Sequence, residues 1–228
     1  MLTFFLRKKI IKLTAVFLAI SFVSFCILYG AFLSQIQAVA NPTTYYLLLC
    51  DMVHVEVGVE FVKLDGGAGY VWEVEDREYI VLSIYKTRQD VELVFKNLDT
   101  ENGEYFVQAI STDRLYFKGK EKKKSGLYLS ALNTLRGYLD VIMGCAVHLD
   151  TGQPQERVKR ILSASENQLI FLSNQYKEEY ADFSDLCDGV GMLLQGVNNE
   201  KVIYARDLRY IACTIADGYI HLCQAFSL

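Results

Sequence analysis

"MVHVEVGVEFVKLDGGAGYVWEVED", residues 52–76, reads in two ways. Val53, Val55, Val57, Val59 and Phe61 alternate with His54, Glu56, Gly58 and Glu60, the two-residue period of a half-buried strand. Val53, Val57, Phe61 and Leu64 also fall at helical spacing, and Gly66-Gly67 follows as a helix stop. The opposite helical face, Val55, Val59 and Val62, is apolar too, and β-branched residues are mediocre helix formers. A helix here makes the surrounding order β-α-β-β-α-β, with both helices on one face of a four-stranded antiparallel sheet. A strand makes a five-stranded meander with one helix.

The flanks are easier to read. "TTYYLLLC" (43–50) is an apolar run of strand length, and "GYVWEV" (69–74) and "EYIVLSIY" (78–85) form a hairpin across Glu75-Asp76-Arg77. Thr87 opens a helix with Asp90 in capping-box spacing, and Val91, Val94, Phe95 and Leu98 follow at i, i+3, i+4 and i+7. "EYFVQAI" (104–110) is a last strand. If Ile80, Leu82 and Ile84 face the helices, alternation turns Tyr79, Val81 and Ser83 outward. With Tyr45, Leu47 and Leu49 inward, Tyr46 and Leu48 point outward, and Phe106, Gln108 and Ile110 share that open face.

Upstream, "LTAVFLAISFVSFCILYGAFL" (13–33) carries no charge in 21 residues, enough to cross roughly 30 Å of hydrocarbon as a helix. Arg7, Lys8, Lys9 and Lys12 precede it, so residues 1–12 are expected to be a cytoplasmic tail and the later domains extracytoplasmic. Ala38-Val39-Ala40 resembles a signal-peptide cleavage site, the alternative to a retained single-pass anchor.

Downstream, 113–126 turns basic and polar, "KGKEKKKSG" at its centre, and reads as a linker. Residues 127–228 carry three apolar stripes at helical spacing. They run from Leu132 to Leu149, from Val158 to Tyr176 behind Pro154, and from Tyr204 to Phe226. An antiparallel helical bundle is expected.

The net charge of −4 argues against nucleic acid as a partner, because a phosphate-binding surface needs a basic excess. Cys26, Cys50, Cys145, Cys187, Cys213 and Cys223 form no C-x-x-C pair, and His54, His148 and His221 lie in separate segments. Cys145 and His148, one helical turn apart, are the only hint of a thiol–imidazole pair. Asp182, Asp185 and Asp188 lack the order of a calcium loop, and "DGGAG" (65–69) lacks the lysine of a phosphate loop. No active site, metal site or cofactor is expected, and the protein is read as no enzyme.

Residues 44–112 resemble the SPOR (sporulation-related repeat) domain family. "EYIVLSIYKTRQDVELVFKNL" (78–98) looks like the family's third strand, turn and second helix, and "FVKLDGGAGYVWEV" (61–74) like its first helix end, glycine turn and second strand. Leu48 and Cys50 stand where the family often has Gln-x-Gly. The resemblance implies that 53–64 is helical. It also implies that the open sheet face binds peptidoglycan glycan strands, through Tyr46, Leu48, Tyr79, Val81 and Gln108. The expected fold class is α+β: a single N-terminal transmembrane helix, a β-α-β-β-α-β SPOR-like (ferredoxin-like) antiparallel sheet, and a C-terminal α-helical bundle. The expected function is that of a membrane-anchored, non-catalytic protein of the bacterial cell envelope, acting in division or sporulation, its bundle contacting an envelope or divisome protein. The alternative is a membrane-tethered protein–protein assembly factor without glycan affinity.

Overall fold

The computed structural model describes residues 36–51, 55–74, 77–98, 104–118 and 122–227. The strands are β1 (Ile36–Ala40), β2 (Thr44–Asp51), β3 (Tyr70–Val74), β4 (Arg77–Tyr85), β5 (Glu104–Ser111) and β6 (Leu115–Lys118). The helices are α1 (Val55–Leu64), α2 (Arg88–Phe95), α3 (Lys122–Asp150), α4 (Gln155–Tyr176), α5 (Ala181–Asn199) and α6 (Ala205–Ser227). The described residues within 40–115 and 129–227 form one compact unit, and those within 36–39 and 116–128 belong to another. In the smaller unit β1 and β6 make a two-stranded sheet, so cleavage after Ala40 would remove one of its strands. The stretch expected as a linker, 113–126, instead carries β6 and the first turn of α3.

The contested stretch is helix α1. Its end is set by Gly66, whose φ of +83° suits a residue without a side chain. The amide of Gly66 donates to the Lys63 carbonyl at 3.1 Å and that of Gly67 to the Val62 carbonyl at 2.8 Å, satisfying carbonyls the helix leaves open. A Cβ on Gly67 would meet Val62 Cγ1 at 2.5 Å, so the turn lies flat against the helix only with glycine there. The buried face of α1 is Gly58 and Val62, with Val55, Val59 and Phe61 packed beside them, whereas Val57 and Leu64 are exposed. Of the two apolar stripes, the more β-branched one enters the core.

Helix α2 starts as its sequence predicts. Thr87 Oγ1 accepts from the Asp90 amide at 3.2 Å and donates to Asp90 Oδ2 at 2.6 Å. Val91 is its fully buried contact. The larger sheet is antiparallel in the order β3-β4-β2-β5. Leu48, Cys50, Ile80, Leu82, Val62 and Val91 make the core between this sheet and α1/α2.

Three expectations are corrected. First, the fold class: no helix among the described residues is long and apolar enough to cross a membrane. The expected tail 1–12 and span 13–33 lie outside the described residues. Second, the sheet does not carry one bare face beside a separate bundle. Sheet and bundle share one compact unit, and Tyr45, Leu47, Leu49 and Val81 on the second face are buried. Third, the facing of β2 is inverted. Leu48 pairs with Ser83 but Leu49 with Val81, so Leu82 is an extra residue, a β-bulge. The bulge lets Ile80 and Leu82 both face α1/α2 while Ile84 crosses to the other side opposite Leu47. Tyr46 and Leu48 therefore face the helices, and Tyr45, Leu47 and Leu49 face away.

The bundle has four helices where three stripes are visible in the sequence. The additional one, α5, buries Phe183, Cys187, Val190 and Leu194 against α4 despite Gly189, Gly191 and Gly196. Buried Ser173 and Ser184 bond to each other at 2.9 Å across the α4–α5 hairpin.

Candidate functional site

The five residues expected to hold glycan separate onto two faces. Leu48 is core beneath α1/α2, and Tyr46 lies half-buried on that same face. Tyr79, Val81 and Gln108 share the opposite face, since Tyr79 pairs with Trp72 and Gln108 with Leu47. Val81 is fully buried there. Tyr79 stands edge-on to Phe106 at 5.1 Å between centroids, with the Arg77 guanidinium 5.5 Å from its ring.

Helix α6 covers much of this second face and is tied down at several points. Tyr45 packs edge-on to Tyr219 at 6.1 Å, and Tyr70 meets Tyr210 at 5.3 Å. The Tyr70 hydroxyl donates to Asp217 Oδ2 at 2.7 Å, while His221 Nδ1 lies 3.1 Å from Asp217 Oδ1. Burial, then the hydrogen bond to Asp217, holds the Tyr70 hydroxyl protonated well above its ordinary range, and burial does the same to Tyr45. Near the start of α6, Arg206 donates to the Lys63 carbonyl at 2.9 Å and Arg209 to the Gly66 carbonyl at 2.7 Å. Arg209 also pairs with Asp150. The turn that ends α1 is thus bonded to the last helix.

Two concave regions flank α6. One, of about 730 Å³, is polar and is lined by Trp72, Gln108, Ile110, Asp217, Ile220 and His221. Of the expected residues only Gln108 lines it. The other, of about 490 Å³, is an apolar groove between α2 and α3, with Leu93, Val94, Met143, Ala146 and Val147 on its walls and the end of β4 beneath. Leu93, Val94 and Val147 are exposed, 55%, 38% and 57% respectively. Charges at its rim are satisfied within the protein: Lys86 pairs with Asp140, Arg209 with Asp150, and the Asp90 carboxylate accepts from the Thr87 hydroxyl. The groove therefore offers apolar surface whose rim charges already have partners within the protein. Its sequence signal was the pair Leu93-Val94, of which only Val94 fits the buried stripe of α2.

The described cysteines are not poised as nucleophiles. Cys50, Cys145, Cys187, Cys213 and Cys223 are free and buried. Burial raises the pKa of every one, with Cys187 pushed up to about 12, so each is held as the un-nucleophilic thiol. Cys145, the partner suggested for His148, is among them. Among the described residues no three His, Cys, Asp or Glu side chains gather as a metal site, and Asp182, Asp185 and Asp188 are exposed on α5. No family model, curated protein or solved structure matches the chain.

Proposed function

We propose that this chain is a non-catalytic assembly protein whose α2–α3 groove receives apolar side chains of a protein partner. The observation that carries the reading is the groove itself: exposed Leu93, Val94 and Val147 around an apolar hollow whose rim residues Lys86, Arg209 and Asp150 are ion-paired. Solvent-exposed apolar surface of this kind is a cost to a free protein and a gain once a partner covers it. Burial of much of the sheet's second face beneath α6 supports protein contact over sugar contact, because it takes up part of the flat surface a glycan strand needs. The buried, protonated thiols support the absence of catalysis.

The partner is an exported or envelope protein, a reading supported by the uncharged run 13–33 and its basic flank. Placement of the body in the bacterial envelope rests on the same sequence feature and is checked by protease accessibility in intact and permeabilised cells.

A photo-reactive side chain at Val147 of the full-length chain, irradiated in cells, is expected to trap one protein in good yield. Leu93→Asp is expected to abolish that adduct. Trapping unaltered by Leu93→Asp would overturn the groove reading.

A second reading, peptidoglycan binding, is supported by the polar cleft that Gln108 and Trp72 both line. An amide and an aromatic ring are suited to sugar hydroxyls and a sugar face. It predicts that the chain pellets with purified glycan strands and that Gln108→Ala and Trp72→Ala each weaken pelleting. No pelleting removes it.

A further inference from the structure

The two edges of the larger sheet differ in a way that carries a second interaction surface. The β3 edge is five residues long and bears Glu73 beside Glu78 and Arg77 of β4, the short, charged edge that blunts unwanted strand pairing. The β5 edge is eight residues, "EYFVQAIS", with no charge from Tyr105 to Ile110 and no proline. On one side every residue of β5 pairs with β2; on the other, among the described residues, no strand adds to the sheet. A row of backbone donors and acceptors thus lies along an uncharged edge, the template a further strand requires.

We infer that β5 pairs antiparallel with β5 of a second copy of this chain, about a two-fold axis through Gln108. The register follows from face and charge. In a continuous sheet, directly opposite residues must share a face, and on β5 Phe106, Gln108 and Ile110 share one while Tyr105, Val107 and Ala109 share the other. An axis through a residue satisfies this and an axis between two residues does not. Through Gln108, Phe106 lies opposite Ile110 of the second copy, Val107 opposite Ala109, and the two Gln108 amides meet. Aromatic against β-branched is a favourable cross-strand pair, and no like charges oppose. Arg114, exposed three residues past the end of β5, gives each copy a cation on the side where the exposed Glu104 of the other lies. Through Val107, Glu104 would instead face Ile110 and Phe106 would face Gln108, losing both advantages. A hollow of about 430 Å³ along the same edge, walled by Tyr46, Phe95, Val107, Ala109 and the mutually paired Arg88 and Glu92 of α2, leaves room for the second copy's side chains. This surface is separate from the α2–α3 groove, so either can fail without the other.

The test is disulfide trapping of the full-length chain. Gln108→Cys places two thiols directly opposite, about 4.5–5.5 Å between Cβ atoms, whereas Val107→Cys leaves the two copies' thiols on a diagonal of about 7–8 Å. Mild oxidation is expected to convert Gln108→Cys to a homodimer at least ten-fold more completely than Val107→Cys. The unsubstituted chain serves as the blank, since its described thiols are buried. Adding Ala109→Lys, at an exposed position, is expected to reduce the Gln108→Cys dimer several-fold by placing two ammonium groups beside the axis. Equal yields from positions 107 and 108, a hetero-adduct in place of the homodimer, or no adduct would each overturn the inference.

Discussion

The two faces of the larger sheet are built by different means. One is covered by α1 and α2, helices lying between the strands they cover, so its core (Leu48, Cys50, Ile80, Leu82, Val62 and Val91) closes within about seventy residues of chain. The other is covered by α6, which begins at Ala205, far from every strand beneath it. Its closure depends on bonds spanning the chain: Tyr70 to Asp217, Thr43 to Tyr219, Arg206 to Lys63 and Arg209 to Gly66. Local cover follows from periodicity. Remote cover rests on hydrogen bonds and aromatic edges between residues that no short window places together.

The largest effects compare the two faces directly. Leu47 and Leu48 are neighbours on opposite faces, both fully buried. Leu47→Ala and Leu48→Ala are each expected to destabilise by about 2–5 kcal/mol in urea unfolding. If α6 did not cover its face, Leu47→Ala would cost a small fraction of Leu48→Ala. Gly67→Ala tests the local face next. Its methyl group would press on Val62 Cγ1 at 2.5 Å and lie 3.2 Å from the Leu82 backbone, an overpacking cost of about 1–3 kcal/mol.

Tyr70→Phe removes one bond of the remote cover and is expected to cost about 1 kcal/mol. It also has a pH signature. Folding raises Tyr70 above its ordinary pKa of 10.0, so the folded chain keeps a proton that the unfolded chain releases. That contribution is fully present below pH 10 and is lost as the pH rises above it. The alkaline loss of stability, followed by circular dichroism, should be shallower in Tyr70→Phe. The smallest effect belongs to the exposed Arg88–Glu92 pair on α2, where Arg88→Met is expected to cost under about 0.5 kcal/mol.

The same contrast explains what the sequence could and could not disclose. Thr87 with Asp90 announces α2 correctly because a capping box is a local bond pattern. Gly66-Gly67 marks the end of α1, yet of the stripe Val57, Phe61 and Leu64 only Phe61 packs on the core, Val57 and Leu64 being exposed. The face of α1 that enters the core is chosen by the sheet beneath it. The bulge at Leu82 is invisible to strict alternation, and with it went the facing of Ile84. The facing of Tyr46 and Leu48 was lost to an open choice between two apolar sets on β2, because Tyr45, Leu47 and Leu49 are as apolar as their neighbours. Helix α5 was hidden by glycines that tertiary packing tolerates; a Cβ on one of them, Gly191, would lie 3.8 Å from Ile170 Cγ1. Of the candidate site, Gln108 was legible as a residue facing a cavity. The α2–α3 groove was not, since it joins side chains more than forty residues apart, Leu93 and Val147.

A double-mutant cycle on Tyr70 and Asp217 tests the remote cover most directly. Tyr70→Phe, Asp217→Asn and the double variant, unfolded in urea at neutral pH, should give a coupling energy of about 1–2 kcal/mol, because the hydroxyl donates to a carboxylate at 2.7 Å. Strict additivity, within about 0.3 kcal/mol, would mean that α6 does not lie on the sheet, and the second face would again be open to a ligand.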